Sequence, residues 1–288
     1  MKPIAESELI LNKDGSIYHL HLHPEQIAET ILIVGDQGRV QEISKHFDRV
    51  EFRISNREFL IHTGYLGSHR ISALSTGIGP DNIDIVLNEL DALFNIDLKN
   101  RQVKKQKRKA RIIRLGTSGA LQKDIPIDSF IASEHAIGLD NLMYFYENKC
   151  LNIQLDESFK SQINWPQHLT QPYFCSGSQS LLRKFPEIKK GITATAPGFY
   201  GPQNRTLRLK KTTPNLDELL AAFEYENLNI TNFEMETSAL YGFGKLLDHE
   251  CLTICAILAN RATKRYSKNH KKTIASMITY VLEQLNND

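Results

Sequence analysis

Three glycine-rich segments carry hydroxyls or arginines at spacings that suit oxyanion chemistry: Gly35-Asp-Gln-Gly-Arg39, Ser75-Thr-Gly-Ile-Gly79 and Arg114-Leu-Gly-Thr-Ser-Gly119. Each follows a short apolar run that reads as a strand. A glycine turn at a strand end exposes backbone N–H groups, which can nest an anion. A planar guanidinium matches the oxygens of phosphate. Taken singly, each segment reads equally as a tight connection. Three together, two of them with arginine in place, favour an oxyanion such as phosphate. None has the G-x-G-x-x-G or Walker A spacing, so dinucleotide and nucleoside-triphosphate chemistry finds no support.

Two further segments suggest a nucleoside. In Phe199-Tyr-Gly-Pro-Gln-Asn-Arg205, Gln203 and Arg205 sit two residues apart. They can present a flat bidentate edge to a heterocyclic base, with Phe199 as a stacking platform; the plain alternative is a solvated surface loop. In Asn232-Phe-Glu-Met-Glu-Thr-Ser238, Glu234 and Glu236 flank Met235 ahead of an expected helix. A carboxylate there can accept hydrogen bonds from a sugar diol while the methionine packs on the ring. Equally, both acids could simply favour the positive end of the helix dipole.

The elements that must hold these residues alternate along the chain. Short β-branched runs predict strands at 30–34, 58–63, 71–75, 111–115, 129–133, 191–195 and 252–258, with a turn at 64–67. Apolar spacing of three and four predicts helices at 39–47, 81–94, 216–225, 238–247 and 273–285. That order predicts an α/β fold with a mostly parallel or mixed sheet. No repeat or low-complexity linker interrupts the 288 residues, so one domain spanning 1–288 is expected.

Composition narrows the setting. The net charge of +2 makes no global case for nucleic acid or membrane. The apolar runs, Thr30–Val34 among them, are far too short to span a bilayer, and the N-terminus leads into no signal-like apolar region. Four cysteines without CxxC spacing read as reduced, mostly buried thiols, which implies a cytoplasmic protein. Seven Lys/Arg residues fall between Lys99 and Lys109. They read as a solvated surface excursion at about 97–109; the alternative, a polyanion patch, lacks the interleaved aromatics that stack bases.

As an ordered set, Tyr18-His19, Gly35-Asp36 with Arg39, Arg57-Glu58-Phe59, Ser75–Gly79, Arg114–Gly119, Phe199-Tyr200 with Gln203 and Arg205, Glu234-Met-Glu236 and Asn260-Arg261 resemble the nucleoside phosphorylase superfamily, and most of all its uridine phosphorylases. The resemblance implies a single-domain fold with a central mixed sheet or barrel flanked by helices. It implies that Gly35, Arg39, Arg114 and Thr117 hold phosphate, with Arg57 reaching in from a neighbouring subunit. His19, also from the neighbour, would hold the ribose together with Thr117, Met235 and Glu236. The base would lie among Ser118, Gly119, Phe199, Gln203, Arg205 and Glu234, with Arg114, Gln203 and Arg205 carrying catalysis. The partners implied are uridine, inorganic phosphate as co-substrate and at least one further copy of the chain, as a dimer or a hexamer. No cofactor or catalytic metal is implied. A structural potassium ion is suggested only through Glu58, and the companion segment Ile78-Gly-Pro-Asp-Asn82 departs from the usual Gly-Gly-Pro-Ser ending.

The implied reaction is attack of phosphate on the anomeric carbon as the glycosidic bond breaks. Purine enzymes of this superfamily place an aspartate after the late strand to protonate the leaving base. Here that stretch reads Ala259-Asn260-Arg261, without an acid, whereas Gln203 and Arg205 are donors for a uracil anion. The base loop reads Tyr-Gly-Pro-Gln-Asn-Arg where the common form is Tyr-Pro-Gly-Gln-Glu-Arg, yet the Gln/Arg spacing is kept. Uridine phosphorolysis is therefore expected. The alternatives are a purine phosphorylase, a nucleosidase (which has no use for the phosphate arginines) and a non-catalytic nucleoside binder. On this reading Arg114→Ala abolishes phosphorolysis with little loss of folding.

Overall fold

Five buried residues, Thr30–Val34, form strand β1, and both neighbours of that strand run parallel to it. A continuous apolar run is what a strand covered on both faces requires. In the computed structural model, which describes residues 2–286, β1 is followed by α1 (Gln37–Ser44), β2 (Arg49–Asn56), β3 (Phe59–Leu66), β4 (His69–Ser75), α2 (Pro80–Asn95), β5 (Ile96–Asp97), β6 (Gln102–Val103), β7 (Arg111–Ala120) and β8 (Phe130–Gly138). The second half adds α3 (Ile153–Gln162), β9 (Tyr173–Ser176), α4 (Gln179–Leu182), β10 (Lys189–Thr195), α5 (Leu216–Ala221), β11 (Glu224–Tyr225), β12 (Leu228–Glu234), α6 (Thr237–Leu246), β13 (Glu250–Asn260), β14 (Arg265–Tyr266) and α7 (His270–Asn286).

The main sheet runs β11-β12-β10-β8-β13-β7-β1-β4-β3-β2, and β12 also pairs with β7. That extra pairing closes β7, β13, β8, β10 and β12 into a barrel. Its seam is short: Asn232 opposite Ala120 and Phe233 opposite Gly119. The fold is thus a mixed α/β barrel with a sheet extension, flanked by helices. On one side α2 buries Ile83, Val86, Leu87 and Leu90 beside α6. On the other, α1 and α7 share a core of Val40, Ile43, Met277, Val281 and Leu285. Under α3 and α5, Phe159, Phe174 and Phe223 pack at tilted or edge-to-face angles.

Several expected elements shift. The segment Gly116–Gly119 is no turn, because β7 runs straight through it, paired residue by residue with β13 from Arg111 to Ala120. The glycine serves packing instead: a Cβ on Gly116 would collide with the Arg114 guanidinium folded back over the strand. The hairpin expected to turn at 64–67 turns at Gly67, whose φ is +58°, with Gly64–Leu66 paired in β3. Helix α1 begins earlier than expected, at Gln37, because the Asp36 side chain caps it by accepting from Gly38 N. The expected helix 216–225 stops at Ala221, and Glu224–Tyr225 joins the sheet. Strands β2, β9 and β12 and helix α3 escape a search for apolar runs. β2 alternates exposed and half-buried residues, and β12 carries asparagine and threonine inward.

The basic excursion is tied to the body. β5 and β6 pair as a hairpin, Lys104 donates to Phe94 O at 2.9 Å, and Arg101 donates to Leu9 O. Arg108 and Lys109 pair with Glu29 and Asp248 at 2.7 and 2.8 Å. No described helix is long and apolar enough to cross a membrane.

From the flanking helix α6, Tyr241 donates its hydroxyl to Ser133 O at 2.5 Å and accepts from Thr253 N at 2.9 Å. It bridges β8 and β13 next to their short antiparallel ladder. Tyr241→Phe strands both backbone groups in a buried site. We expect a loss of about 1–3 kcal/mol in urea unfolding, with the denaturant slope unchanged.

Candidate active site

The end of β1, the first turn of α1, the middle of β7 and the junction of β12 with α6 meet at one mouth of the barrel. They enclose a cavity of about 610 Å³ lined by Gly35, Arg39, Arg114, Thr117, Ser118, Gly119, Phe199, Gln203, Arg205, Glu234, Met235 and Glu236. That volume is in the range of small-molecule sites. Residues separated by up to two hundred positions converge because β1, β7 and β13 are parallel neighbours, so the ends of β1 and β13 and the middle of β7 open on the same side.

At one end stand the two guanidinium groups. Arg39 reaches from α1 to donate to Leu115 O at 2.9 Å. Arg114 is buried between two carboxylates: Glu234 lies 3.0 Å away and Glu236 is in direct contact. Burial disfavours its charge, but Glu236 and Glu234 more than restore it and hold its pKa above the usual arginine value. Arg39 is pushed the other way, by burial and then by Arg114. The Cys255 thiol beneath Arg114 is pushed up to about 12 by burial and stays neutral. Glu236 is raised by burial, against the pull of Arg114.

The carboxylates are oriented by backbone and hydroxyl donors. Glu234 closes β12 and accepts from Thr195 Oγ1 at 2.7 Å, Glu236 N at 2.9 Å and Thr237 N at 3.1 Å. Glu236 accepts from Gly79 N at 2.9 Å. Gly79 holds φ at +107°, which non-glycine residues rarely adopt. The Ser75–Gly79 turn therefore does bind an anion, but that anion is the chain's own Glu236. Met235, between the two acids, is half-buried and faces the cavity.

The opposite end is built by the 199–205 loop. Arg205 donates to Gln203 Oε1 at 2.6 Å and to Phe199 O at 2.7 Å, which fixes the pair side by side. Its guanidinium lies 3.8 Å from the centre of the Phe199 ring. Phe199 thus stacks on Arg205 and remains half exposed, rather than standing alone as a platform. Burial, then Arg261, lowers the Arg205 pKa to about 10. Arg261 donates one arm to Asn204 O at 3.2 Å; its other terminal nitrogen is buried with no partner among the described residues. Asn260 is committed to structure: its amide donates to Gln122 O and Ile125 O, and its oxygen accepts from Thr263 N.

His19 and Arg57 do not line this cavity. They lie together elsewhere. Arg57, at φ +54°, stands over the Tyr18 ring, and Asn56 donates to His19 O at 2.8 Å. The His19 ring sits 2.6 Å from Glu89. Ile78, Leu258 and Tyr266 also line the cavity and were missed. Ile78 lies within the Ser75–Gly79 segment, but as an apolar residue it carries no chemical signal there; Leu258 lies late in the apolar run of β13 and Tyr266 on the short strand β14, and no motif marks either.

A family model described as the phosphorylase superfamily matches residues 29–283. The chain belongs to the phosphorylase superfamily. As a whole it is similar to a uridine phosphorylase of Thermococcus kodakarensis, 27% identical over 281 residues, covering 96% of this chain and 88% of that one. It is also similar to a DeoD-type purine nucleoside phosphorylase of Streptococcus suis, 26% identical over 272 residues, covering 93% and 98%. Among solved structures, a nucleoside phosphorylase of Trypanosoma brucei described as showing uridine phosphorylase activity superposes with a TM-score of 0.86 at 27% identity, covering 98% and 100%. The superfamily places this phosphorylase among the pentosyl-transferring enzymes.

Glu58 and Ile78 also line the cavity, and the Asn82 amide donates to Ile78 O at 3.2 Å.

The ion pairs change what Arg114→Ala should do. Removing Arg114 leaves Glu234 and Glu236 buried without their cation, so folding suffers as well as chemistry, by about 3–5 kcal/mol at neutral pH. Glu236 already binds its proton more tightly folded than unfolded, and losing Arg114 strengthens that preference. The variant's deficit therefore narrows as pH falls towards the range where Glu236 is protonated. Urea unfolding of both proteins at neutral and mildly acidic pH measures this; an equal deficit at both would contradict it.

Proposed function

We propose that this phosphorylase cleaves uridine with inorganic phosphate to give uracil and ribose 1-phosphate. The observation that carries the reading is the convergence of three chemistries on one cavity. Arg39 and Arg114 with Thr117, the Gln203–Arg205 pair, and Met235 with Glu236 all line it. Gly35, Arg39, Arg114 and Thr117 would bind phosphate. Glu236 would accept the ribose hydroxyls while Met235 packs on the ring. Ser118, Gly119 and Phe199 would border the base, with Glu234 behind as the group that orients Glu236 and Arg114.

The bond from the anomeric carbon to the base breaks as a phosphate oxygen approaches from the opposite face. Carbocation character grows on the sugar, and the bonding pair leaves with uracil. Phosphate, drawn in by Arg39 and positioned by Arg114, offsets the positive charge. Gln203 and Arg205 donate to the carbonyl oxygens where negative charge collects. Preorganised donors of this kind are commonly worth about 2.7–4 kcal/mol each, and holding both substrates in line supplies the entropic share. Uracil is favoured over a purine because the stretch Ala259-Asn260-Arg261 offers no acid to protonate a departing purine, and the Asn260 amide is already spent on Gln122 and Ile125.

Because His19 and Arg57 lie outside the cavity and close to each other, they suit completion of a neighbour's site, His19 at the ribose and Arg57 at the phosphate. The active unit is then at least a dimer. The buried free thiols Cys150, Cys175, Cys251 and Cys255 agree with a cytoplasmic setting.

Uridine, thymidine, inosine and adenosine, each assayed with and without phosphate, test the reading. Uracil release from uridine should require phosphate. Gln203→Ala should cut kcat/KM for uridine by about 10²–10³-fold and affect inosine less. Release without phosphate would indicate a nucleosidase, inosine preference a purine enzyme, and no turnover an idle binder. Mixing inactive Arg57→Ala and Gln203→Ala subunits should restore turnover if sites are shared; no recovery after confirmed subunit exchange would refute the sharing.

A further inference from the structure

The far side of the 199–205 loop borders a second cavity, of about 750 Å³. Its walls are apolar and aromatic, with Leu139, Trp165, Pro197, Tyr200, Pro202 and Leu216 among them. Its charged lining is of one sign: Arg205, Arg208, Lys210 and Lys211 contribute four cations, and no lining residue is acidic. The walls are tied in place. Trp165 Nε1 donates to Thr170 O at 3.0 Å, and His168 Nε2 lies 3.2 and 3.3 Å from the hydroxyls of Thr212 and Thr213. These bonds join the 165–170 segment to the 207–213 strap. Lys211 is spent on Asn204 O at 3.1 Å. Arg208 and Lys210 are exposed, and among the described residues neither has a carboxylate at ion-pair distance.

An apolar trough with an uncompensated cationic rim selects by two criteria at once. A flat hydrocarbon body gains from leaving water against Trp165 and the prolines. An anionic group gains from cations that no protein acid neutralises, and more so beside a low-dielectric wall. Inorganic anions satisfy only the second criterion and neutral aromatics only the first. We propose that this trough is a binding site for small anions with a flat apolar body, such as aryl carboxylates or aryl sulfonates, separate from the site for nucleoside and phosphate. Uridine, phosphate and uracil all lack that combination, so the inference stands apart from the proposed reaction.

Trp165 is the chain's single tryptophan, so its emission reads this trough directly. With phosphate and uracil saturating to fill the other cavity, 4-nitrobenzoate should quench Trp165 saturably. The neutral 4-nitrobenzyl alcohol should bind about tenfold more weakly, equivalent to about 1.4 kcal/mol. Arg208→Glu with Lys210→Glu should weaken 4-nitrobenzoate by at least that factor while leaving the alcohol's affinity and the basal turnover unchanged. Should that variant not fold, added salt must weaken 4-nitrobenzoate, and not the alcohol, in the unaltered protein. Four results overturn the proposal: unsaturable quenching, equal affinities for acid and alcohol, insensitivity to both charge reversal and salt, or a Trp165 shielded from probe in an assembly whose subunits cover the trough.

Discussion

The buried arginine at position 114, clasped by Glu234 and Glu236, is the interaction on which the rest depends. Charges withdrawn from water are tolerated only when paired, and the fold supplies acids for both terminal nitrogens of this arginine while its Nε stays without a partner among the described residues. β7 brings the arginine, and Gly116 leaves room for it to fold back. β12 ends on one acid and α6 begins on the other. Thr195, Gly79 and the first backbone amides of α6 saturate the carboxylate oxygens. Three strands, the Ser75–Gly79 turn and the start of α6 thereby share one electrostatic knot. It sits in the floor of the cavity, where it also sets the charge that a ligand meets.

The knot explains the division of labour between the two arginines. Arg114 is almost neutralised by its acids, so it positions and polarises rather than attracts from a distance. Arg39, held by a single carbonyl of β7 and pressed by its neighbour's charge, is the cation with capacity to spare. A doubly charged oxyanion fits such a pair better than either arginine alone. Glu236, bound at once to Arg114 and Gly79, must share its oxygens if a sugar is to be held there. Any sugar hydroxyl therefore competes with groups already in place.

Much of this was legible before the structure. Thr30–Val34 announced itself because a strand covered on both faces must be apolar throughout. The arginines at 39 and 114 and the Gln203–Arg205 spacing stood out only as members of an ordered set, since each taken alone fits a plain turn or surface loop. What stayed hidden was long-range or polar. β2 and β12 carry their pattern in half-buried and asparagine-rich positions, so no apolar run betrays them. The Arg114–Gly119 glycines looked like a turn because their packing role, making space for a side chain two residues away, leaves no local mark. The Ser75–Gly79 turn was visible as an anion nest, but its anion lies 157 residues along the chain. No spacing rule could reveal that, nor could one have shown Phe199 stacked on Arg205.

The seam that closes the barrel has a kinetic consequence. Only two residue pairs join β12 to β7 in the ladder, Asn232–Ala120 and Phe233–Gly119, next to Ser118 on one strand and Glu234 on the other. Nucleating that contact brings together segments more than a hundred residues apart, an entropically expensive closure that belongs late on the folding route. The catalytic mouth is therefore among the last parts of the molecule to assemble. Whatever fills it adds to the Arg114–Glu234 pair that already crosses the seam.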